Sequence, residues 1–415
     1  MPKCIIILKS GFHDVCCKPL IFSVHEYTAG NHRALTNNHL YQRDDTGMYL
    51  KGLKTIWRMY GFSPNFIFFC FVLVFFRVWF LISHATLFAD YIFFPGFSRV
   101  KVKNPVFIIG HPRSGTTFIH HLFTRTDEMA AFHAWHVLFP AISARKLVAP
   151  IIRFLVRHNK TVIIPEDTGH GIALDKVEED EMLFLHILDT QFLLVGSPLG
   201  FVPEEYREFR FHDLQPKHRR LRSARYLKHC FQRHIYYTGK TQVFAQTHFS
   251  THRIRTLMEV FPDARFIYMH RPAEETLPSY LSLNYHTLDA LWGIHRFTKE
   301  QLDLFFEYRY RASVELCRYF FDLWQTGGIN PEKVMILPYS RLLRELPEVF
   351  DEIISFTGIT PSPALRDAVA RQAEKQRGFK RGHEVMRLEE FGISEERVRR
   401  DFAFQGTDPL KYLSQ

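Results

Sequence analysis

The chain has 415 residues, of which 46% are hydrophobic and 23% charged, with 21 glycines and 21 prolines. This balance is that of a globular protein and excludes a disordered, collagen-like or low-complexity chain. The formal net charge of +10 favours an anionic partner, but no RNA- or DNA-binding module accompanies it, and we expect no nucleic acid partner.

The first hundred residues divide into two predicted parts. Residues 1–47 show no regular period and are predicted to be a poorly ordered arm, while residues 48–100 are predicted to be a membrane-associated helical segment. The apolar run from Phe66 to Ile82 is interrupted only by Arg77. A spanning helix needs about 20 apolar residues and a central arginine is costly, so the run indicates either a membrane-embedded helix, spanning or re-entrant, or a buried core helix. Basic residues on both flanks leave the orientation open.

Residues 101–415 are predicted to form one α/β domain. Short β-type runs alternate there with amphipathic stretches, which is typical of a central parallel sheet flanked by helices. The predicted strands are Val106 to Ile109, Val243 to Thr247, Arg265 to Met269 and Lys333 to Leu337. The predicted helices are Thr116 to Phe123, His252 to Phe261, Ala273 to Leu283 and Leu346 to Thr357.

The strongest local signal is the stretch from Asn104 to Phe123, in which an apolar strand runs through a Gly/Pro/Ser/Gly turn into a helix. Such a turn directs backbone N–H groups and a helix N-terminus at one point, and therefore predicts a site for phosphate or sulfate. Gly110 and Gly115 have the spacing of a Walker-A loop, but Thr116 stands where that loop requires lysine. Arg113 lies inside the turn instead. This pattern favours metal-free transfer of an anionic group over a kinase or ATPase.

The sequence GHPRSGTT after the strand NPVFIIG resembles the phosphosulfate loop of sulfotransferases that use 3′-phosphoadenosine-5′-phosphosulfate (PAPS). The stretch FPDARFIYMHRPAEETLPSYLSL is similar to their 3′-phosphate motif and implies that Arg271 and Ser279 clamp the 3′-phosphate, as a guanidinium and a hydroxyl can. The resemblance covers about residues 105–402 and implies a P-loop-like fold. It implies that the 5′-phosphosulfate binds to Arg113, Ser114, Gly115, Thr116 and Thr117.

Two later stretches extend the resemblance. VMILPYSRLLRELPEVFDEIISFTGI is similar to the family segment whose tyrosine lies against the adenine, which implies this role for Tyr339. MRLEEFGISEERVRRDF resembles the tail of the broad bacterial-type sulfotransferase group. Between them, Arg377 belongs either to a late contact with the 3′-phosphate or to a solvated basic loop.

Three candidates remain for the base that removes the acceptor proton. His248, in VFAQTH, is similar in placement to the histidine of the Lys-Thr-His sequence of aryl and steroid sulfotransferases, although Gln246 replaces the lysine and leaves Arg113 as the cation. His136 stands where the broad group usually has glutamate in Trp-Glu-x-x-x-Pro, and an imidazole can also accept a proton. The third candidate is an acidic cluster before a predicted apolar helix, Met182 to Val195, where acidic residues also favour the helix N-terminus. The cluster comprises Asp175, Glu178, Glu179, Asp180 and Glu181.

The histidines and cysteines bear on metal and compartment. Despite 23 histidines there is no His-Glu-x-x-His sequence, and we predict no metal. Six cysteines, four of them in the first 70 residues, indicate neither a disulfide framework nor a cysteine metal site. They favour a reducing compartment, and we expect a membrane-associated protein with a cytoplasmic catalytic domain.

Taken with the resemblance, the sequence predicts a PAPS-dependent sulfotransferase that acts on a hydroxyl or amine. The apolar run ends about 22 residues before the loop strand, so the expected acceptor is a membrane-proximal lipid, sterol or glycolipid, with membrane contact through residues 66–82. Two alternatives remain open. One is a non-catalytic, membrane-attached scaffold that binds a nucleotide, and the other is a P-loop kinase or ATPase.

Overall fold

The computed structural model describes residues 45–126, 128–164, 171–202, 206, 208–376 and 385–406. Nearly all of the predicted arm therefore lies outside the described residues. The described chain begins with helices α1 (Asp45–Tyr60) and α2 (Pro64–Phe93). Ser63 caps α2 by accepting a hydrogen bond from the Phe66 amide at 3.3 Å, and Pro64 occupies the first turn, where a missing N–H costs nothing.

Helix α2 contains the whole predicted apolar run and continues beyond it, for 30 residues in all. Within the described ranges it is the one helix whose length and composition suit a membrane crossing, with a mean hydropathy of 2.5 over Phe66–Phe93. Its apolar side chains are mostly exposed, so the prediction of a buried core helix is wrong for this segment.

The remaining elements alternate between strands and helices. In chain order they are β1 (Val106–Gly110), α3 (Thr116–Phe123), α4 (Ala134–Leu138), α5 (Ile142–Arg157), β2 (Val162–Ile164), β3 (Ile172–Ala173), α6 (Phe192–Val195), α7 (Lys217–Thr238), β4 (Phe244–Gln246), α8 (Ile254–Val260), β5 (Arg265–His270), α9 (Ala273–Trp292), α10 (Lys299–Gln325), β6 (Val334–Pro338), α11 (Tyr339–Arg344), α12 (Leu346–Thr357), α13 (Pro363–Gln376) and α14 (Glu395–Asp401). Short 3₁₀ helices connect several of them, at Pro95–Arg99, Asp180–Ile187, Pro198–Phe201, His212–Leu214, His248–Arg253, Ile294–Arg296, Pro331–Lys333, Leu388–Phe391 and Ala403–Gln405.

The four predicted strands form one parallel sheet in the order β4-β1-β5-β6, which confirms the α/β class. In the register of this sheet, Phe107 lies between Ala245 and Phe266. All five residues of β1 are buried, as expected for a strand covered on both faces. Phe107 packs with α7 and α10 on one face, and Ile108 packs with α3 and α12 on the other.

The strand order determines where a ligand can bind. From β1 the chain proceeds first to β4 on one side and later to β5 on the other. The connections that follow β1 and β5 run in opposite directions, toward β4 and toward β6, which opens a crevice at the carboxyl ends of β1 and β5, the usual ligand position in an open α/β sheet. The predicted anion loop, residues 111–115, follows β1 directly.

One predicted helix is wrong. Instead of a single helix from Met182 to Val195, the chain forms the 3₁₀ helix Asp180–Ile187 and the short helix α6, separated by Leu188 with φ at 52°. The acidic residues at the start point inward. Asp180 accepts a hydrogen bond from the Gln246 amide at 2.8 Å and Glu181 accepts one from Ser250 at 2.5 Å, and these bonds hold the segment against β4 and the residues that follow it.

Candidate functional site

The loop between β1 and α3 has a backbone that requires its glycine. Gly115 adopts φ of 101° and Arg113 adopts φ of 70°, both in the left-handed region. A Cβ placed on Gly115 would lie 2.6 Å from Cδ2 of Tyr339, much closer than van der Waals contact. The loop therefore turns sharply under the ring of Tyr339, at the position where α3 begins.

The start of α3 has the features of an oxyanion site. Gly115, at the N-cap, has no side chain to satisfy the first-turn N–H groups. Ser114 and Thr116 are buried, and the Ser114 hydroxyl has no hydrogen-bond partner among the described residues. A buried hydroxyl without a partner costs about 1–3 kcal/mol. These donors fit a phosphate or sulfate group.

Residues from β5, α9 and α11 extend the site away from the loop. Arg113 Nε donates to Ser279 Oγ at 3.0 Å, and Arg271 Nη1 donates to the carbonyl oxygen of Arg113 at 3.1 Å. The guanidinium carbon of Arg271 lies 4.3 Å from the centre of the Tyr339 ring. The structure thus brings together four residues that the sequence places in one site, although they are separated by up to 226 positions.

A second group of residues meets the other side of the loop at the end of β4. Gln246 Nε2 donates to Thr117 Oγ1 at 3.0 Å and to Glu179 Oε1 at 2.9 Å. The second oxygen of Glu179 lies 3.3 Å from Nδ1 of His248. Two of the three predicted base candidates, His248 and the acidic cluster, are therefore in contact.

Asp180 and His120 lie beneath this group and are fully buried. Nε2 of His120 lies 3.6 Å from Oδ2 of Asp180. Burial raises the pKa of Asp180 well above its usual range and lowers the pKa of His120 to about 3, so the imidazole is neutral near pH 7. The pair joins α3 to the 3₁₀ helix Asp180–Ile187. Because Asp180 also accepts a hydrogen bond from the Gln246 amide, the pair holds α3 next to the end of β4.

His136 occupies a different environment. Its Nδ1 accepts a hydrogen bond from the backbone N–H of His133 at 3.2 Å, and its ring lies 4.0 Å from that of Trp135, measured between centres. Its carbonyl oxygen accepts a bond from Arg145. Burial, and next the Arg145 charge, lower the pKa of His136 below its usual range. None of these contacts is with the loop at residues 111–115.

A cavity of about 770 Å³ opens beside α3. Its lining includes Thr117, Phe118 and His121 of that helix and the segment 175–179. Because Thr117 and Glu179 both line it, the cavity reaches the group at the end of β4.

The predicted contact Arg377 lies outside the described residues. Within the described ranges, no group of three or more histidine, cysteine or acidic residues could hold a metal ion.

Two contacts near the site were not predicted from the sequence. Glu275 accepts a hydrogen bond from Arg271 Nε at 3.0 Å, and His120 lies beside Asp180. Oppositely charged residues four positions apart often pair, so the spacing of Arg271 and Glu275 could have predicted the contact between them.

The parallel sheet, the glycine loop without a Walker lysine and the two arginines are the features of a P-loop-like protein whose loop is suited to a phosphate- or sulfate-bearing group. The sequence model described as the sulfotransferase family matches residues 105–363, more than half of the chain. The chain belongs to this family.

Comparisons with individual proteins agree with this assignment. The chain is 28% identical, over 202 residues, to the omega-hydroxy-beta-dihydromenaquinone-9 sulfotransferases Stf3 of Mycobacterium bovis and Mycobacterium tuberculosis. The match covers 48% of this chain and 49% of each relative, so the chain spans about half the length of these relatives. The fold is similar to the crystal structure of sulfotransferase STF1 from M. tuberculosis, with a TM-score of 0.63 and 18% identity, over 90% of this chain and 97% of that one. Sulfotransferase STF9 from Mycobacterium avium gives the same TM-score at 17% identity, over 91% and 95% of the two chains.

Proposed function

We propose that the chain transfers the sulfuryl group of PAPS to a hydroxyl or amine of an acceptor. The observation that supports this most strongly is the convergence of Arg113, Arg271, Ser279 and Tyr339 on the loop before α3. The loop donors would hold the 5′-phosphosulfate. Arg271 and Ser279 would hold the 3′-phosphate, and Tyr339 would lie against the adenine.

In the reaction, an acceptor oxygen or nitrogen forms a bond to sulfur while the bond from sulfur to the 5′-phosphate oxygen breaks, and 3′,5′-adenosine diphosphate leaves. Such transfers depend mainly on positioning and on positive charge around the transferred group. Here the charge comes from the Arg113 guanidinium and from the N-terminus of α3. Gln246, in the place of a lysine, donates its amide hydrogens to Thr117 and Glu179 instead of adding a second cation.

Glu179 is the proposed proton acceptor. Glu179 lines the cavity together with Thr117, one of its oxygens accepts a hydrogen bond from Gln246, and the other lies 3.3 Å from Nδ1 of His248. The acceptor proton moves to Glu179 as the new bond to sulfur forms, and His248 positions the carboxylate. This geometry favours the pair of Glu179 and His248 over His136, which lies among Trp135, Arg145 and His133.

The proposed acceptor is a lipid hydroxyl. The relatives are named for a hydroxyl-bearing menaquinone, and the apolar helix α2 belongs to the same folded unit as the site. We propose that residues 48–100 attach the catalytic part, residues 101–415, to a membrane. The free thiols of Cys70, Cys230 and Cys317 are consistent with a cytoplasmic position.

The direct test incubates the full chain with radiolabelled PAPS and a lipid extract, and then separates the lipids. A labelled lipid product that forms without added metal, together with 3′,5′-adenosine diphosphate, is the expected result. Binding of the nucleotide without any sulfated product would instead indicate the non-catalytic scaffold. Turnover of ATP that depends on magnesium would indicate a kinase or ATPase.

A further inference from the structure

Helix α2 is attached along its length to the α/β domain. Near its first turns, the Phe69 ring stacks on Trp292 with 4.5 Å between ring centres. In its middle, Ser83 Oγ donates to Nδ1 of His186 at 2.9 Å. Phe69 and Asp90 are 21 positions apart, which corresponds to about 32 Å of helix.

The end of α2 is fixed by a fully buried carboxylate. Asp90 accepts hydrogen bonds from the backbone N–H groups of Ile142 and Ser143, both at 2.8 Å, where α5 begins. It also accepts one from Arg233 Nε on α7 at 2.9 Å. These charged and polar contacts cannot be replaced by lipid, because lipid chains offer no donors.

This attachment conflicts with a helix that crosses a bilayer. A hydrocarbon core is about 30 Å thick, similar to the length over which the domain contacts α2. If α2 stood upright in a membrane, the domain beside it would have to lie in the hydrocarbon. The same helix can instead lie along the membrane plane, with the domain on one side and lipid on the other.

The exposed surface of α2 is predominantly apolar, although Arg77 and His84 are also exposed on this helix. Eleven large apolar side chains of α2 are at least half exposed, among them Phe71, Val74, Phe75, Val78, Ile82 and Phe88. Helix α5, which packs against α2, exposes Leu147, Ile151 and Phe154 at 74%, 59% and 57%. These three residues form one stripe, because their spacing of four and three residues places them on the same side of a helix.

Basic groups surround this apolar side. Helix α5 has no acidic residue, and Lys146, Arg153 and Arg157 are exposed beside its apolar stripe. At one end of α2, the Tyr91 hydroxyl lies 3.1 Å from Nδ1 of His229, next to Lys228 on α7. At the other end, α1 exposes Lys51 and Lys54. An anionic lipid surface is complementary to this distribution.

We propose that α2 and α5 together form a monotopic membrane surface, with α2 embedded lengthwise in one leaflet and the basic residues of α5 in contact with anionic headgroups. This inference extends the proposed membrane attachment. It places both ends of α2 on the same side of the bilayer. It also gives α5, outside the apolar segment itself, a direct part in binding lipid.

The first test measures flotation of the purified full chain with vesicles of phosphatidylcholine, with and without phosphatidylserine. We expect stronger binding to the anionic vesicles. The triple substitution Leu147→Ser, Ile151→Ser and Phe154→Ser should weaken binding at least tenfold. The control, Leu304→Ser with Leu343→Ser, changes two apolar residues on α10 and α11 that are 42% and 44% exposed, and it should leave binding unchanged. Equal binding by the triple variant and the control would overturn the role of α5.

The second test determines the topology. Phe62→Cys and Lys101→Cys place exposed thiols beyond the two ends of α2, and each variant is added to preformed vesicles and treated with a membrane-impermeant maleimide. Both sites should react without detergent, above the labelling of the unsubstituted chain. Protection of one site in vesicle-bound protein would show a spanning helix and overturn the in-plane arrangement, but not the attachment. No vesicle binding at all would overturn both, whereas retained 3′,5′-adenosine diphosphate binding would leave the proposed donor site intact.

Discussion

Arg271 connects several parts of the proposed donor site, because it contacts the Arg113 carbonyl, Glu275 and the Tyr339 ring. Lysine keeps the charge but cannot make these contacts together. We expect Arg271→Lys to weaken 3′,5′-adenosine diphosphate binding by about 1.5–3 kcal/mol, roughly 10- to 150-fold. Titration calorimetry measures this. Arg341→Lys, a change at a surface arginine paired with Glu345 and Glu352, is the control and should bind the nucleotide normally. Equal affinities in both variants would remove Arg271 from the site.

Gly115 permits both the left-handed turn and the close approach of Tyr339. Gly115→Ala should therefore displace the Tyr339 ring and weaken nucleotide binding at least tenfold. Gly327→Ala is the matched control, since Gly327 also has positive φ but no atom within 4 Å of a Cβ placed on it. The control should lose about 1–2 kcal/mol of stability from backbone strain and no nucleotide affinity. A normal affinity in Gly115→Ala would contradict the packing of Tyr339 over the loop.

Glu179 is expected to affect turnover and not nucleotide binding. Replacing its carboxylate in Glu179→Gln removes the proposed base and should lower kcat by roughly 100- to 10,000-fold. Affinity for 3′,5′-adenosine diphosphate should remain, which shows that the variant is folded. His136→Asn should retain most of kcat in any protein that folds. The reverse order of effects would assign the base to His136.

At the residue scale, the proposed donor residues could be selected from the sequence because their motifs are local and chemically specific. Arg271 and Ser279 share one stretch, and Arg113 lies within the glycine turn. The contact of Glu179 with His248 was not predictable, because it joins two segments that are 69 positions apart and whose packing depends on the whole sheet.

Asp90 is the main polar connection between α2 and the domain. Asp90→Ala would leave the Arg233 charge and the two N–H groups at the start of α5 without this acceptor. Removing one member of a buried ion pair typically costs about 3–5 kcal/mol. Thermal unfolding in detergent should show this loss, with earlier proteolysis near α2. Asp303→Ala removes an exposed carboxylate from a surface pair with Lys299 and should not change the unfolding temperature measurably. Equal stability of the two variants would mean that α2 is held mainly by apolar contacts.

Among the elements, the helices over Thr116–Phe123 and Leu346–Thr357 were predictable to the residue, because glycine, proline and threonine mark their ends. Helix α9 extends nine residues beyond its predicted end, although Pro278 lies inside it. The apolar stretch after Asp180 does not form the single predicted helix. Asp180 is bonded to the end of β4 and Glu181 is bonded to Ser250, and these buried hydrogen bonds outweigh the helical composition of the stretch. No local pattern indicates such long-range bonds.

For the molecule as a whole, buried histidines should make stability depend on pH. Burial lowers the pKa of His111, His186 and His270 to about 4. An unfolded histidine has a pKa of about 6.5, so above that pH both states are neutral and the effect is absent. As the pH falls from about 6.5 to about 4, the unfolded chain gains protons that the folded chain does not, and stability is lost by up to about 1.4 kcal/mol per histidine per pH unit.

Thermal unfolding at about pH 7 and about pH 5 checks this dependence. The unfolding temperature should fall with acidification, and His186→Gln should show a smaller fall because one titrating group is removed. His158→Gln, at an exposed position, should follow the unsubstituted chain. An unfolding temperature that is constant over this range would contradict the neutral burial of these histidines.

We propose that this sulfotransferase-family chain holds a 3′-phosphorylated nucleotide at the loop before α3. The most direct measurement is titration calorimetry of the full chain with 3′,5′-adenosine diphosphate, adenosine 5′-monophosphate, and ATP with magnesium. The first ligand should bind at least tenfold more tightly than the other two, and Arg271→Ala should remove this preference. Equal affinity for the nucleotide that lacks the 3′-phosphate, or tighter binding of ATP with magnesium, would contradict the proposed donor site.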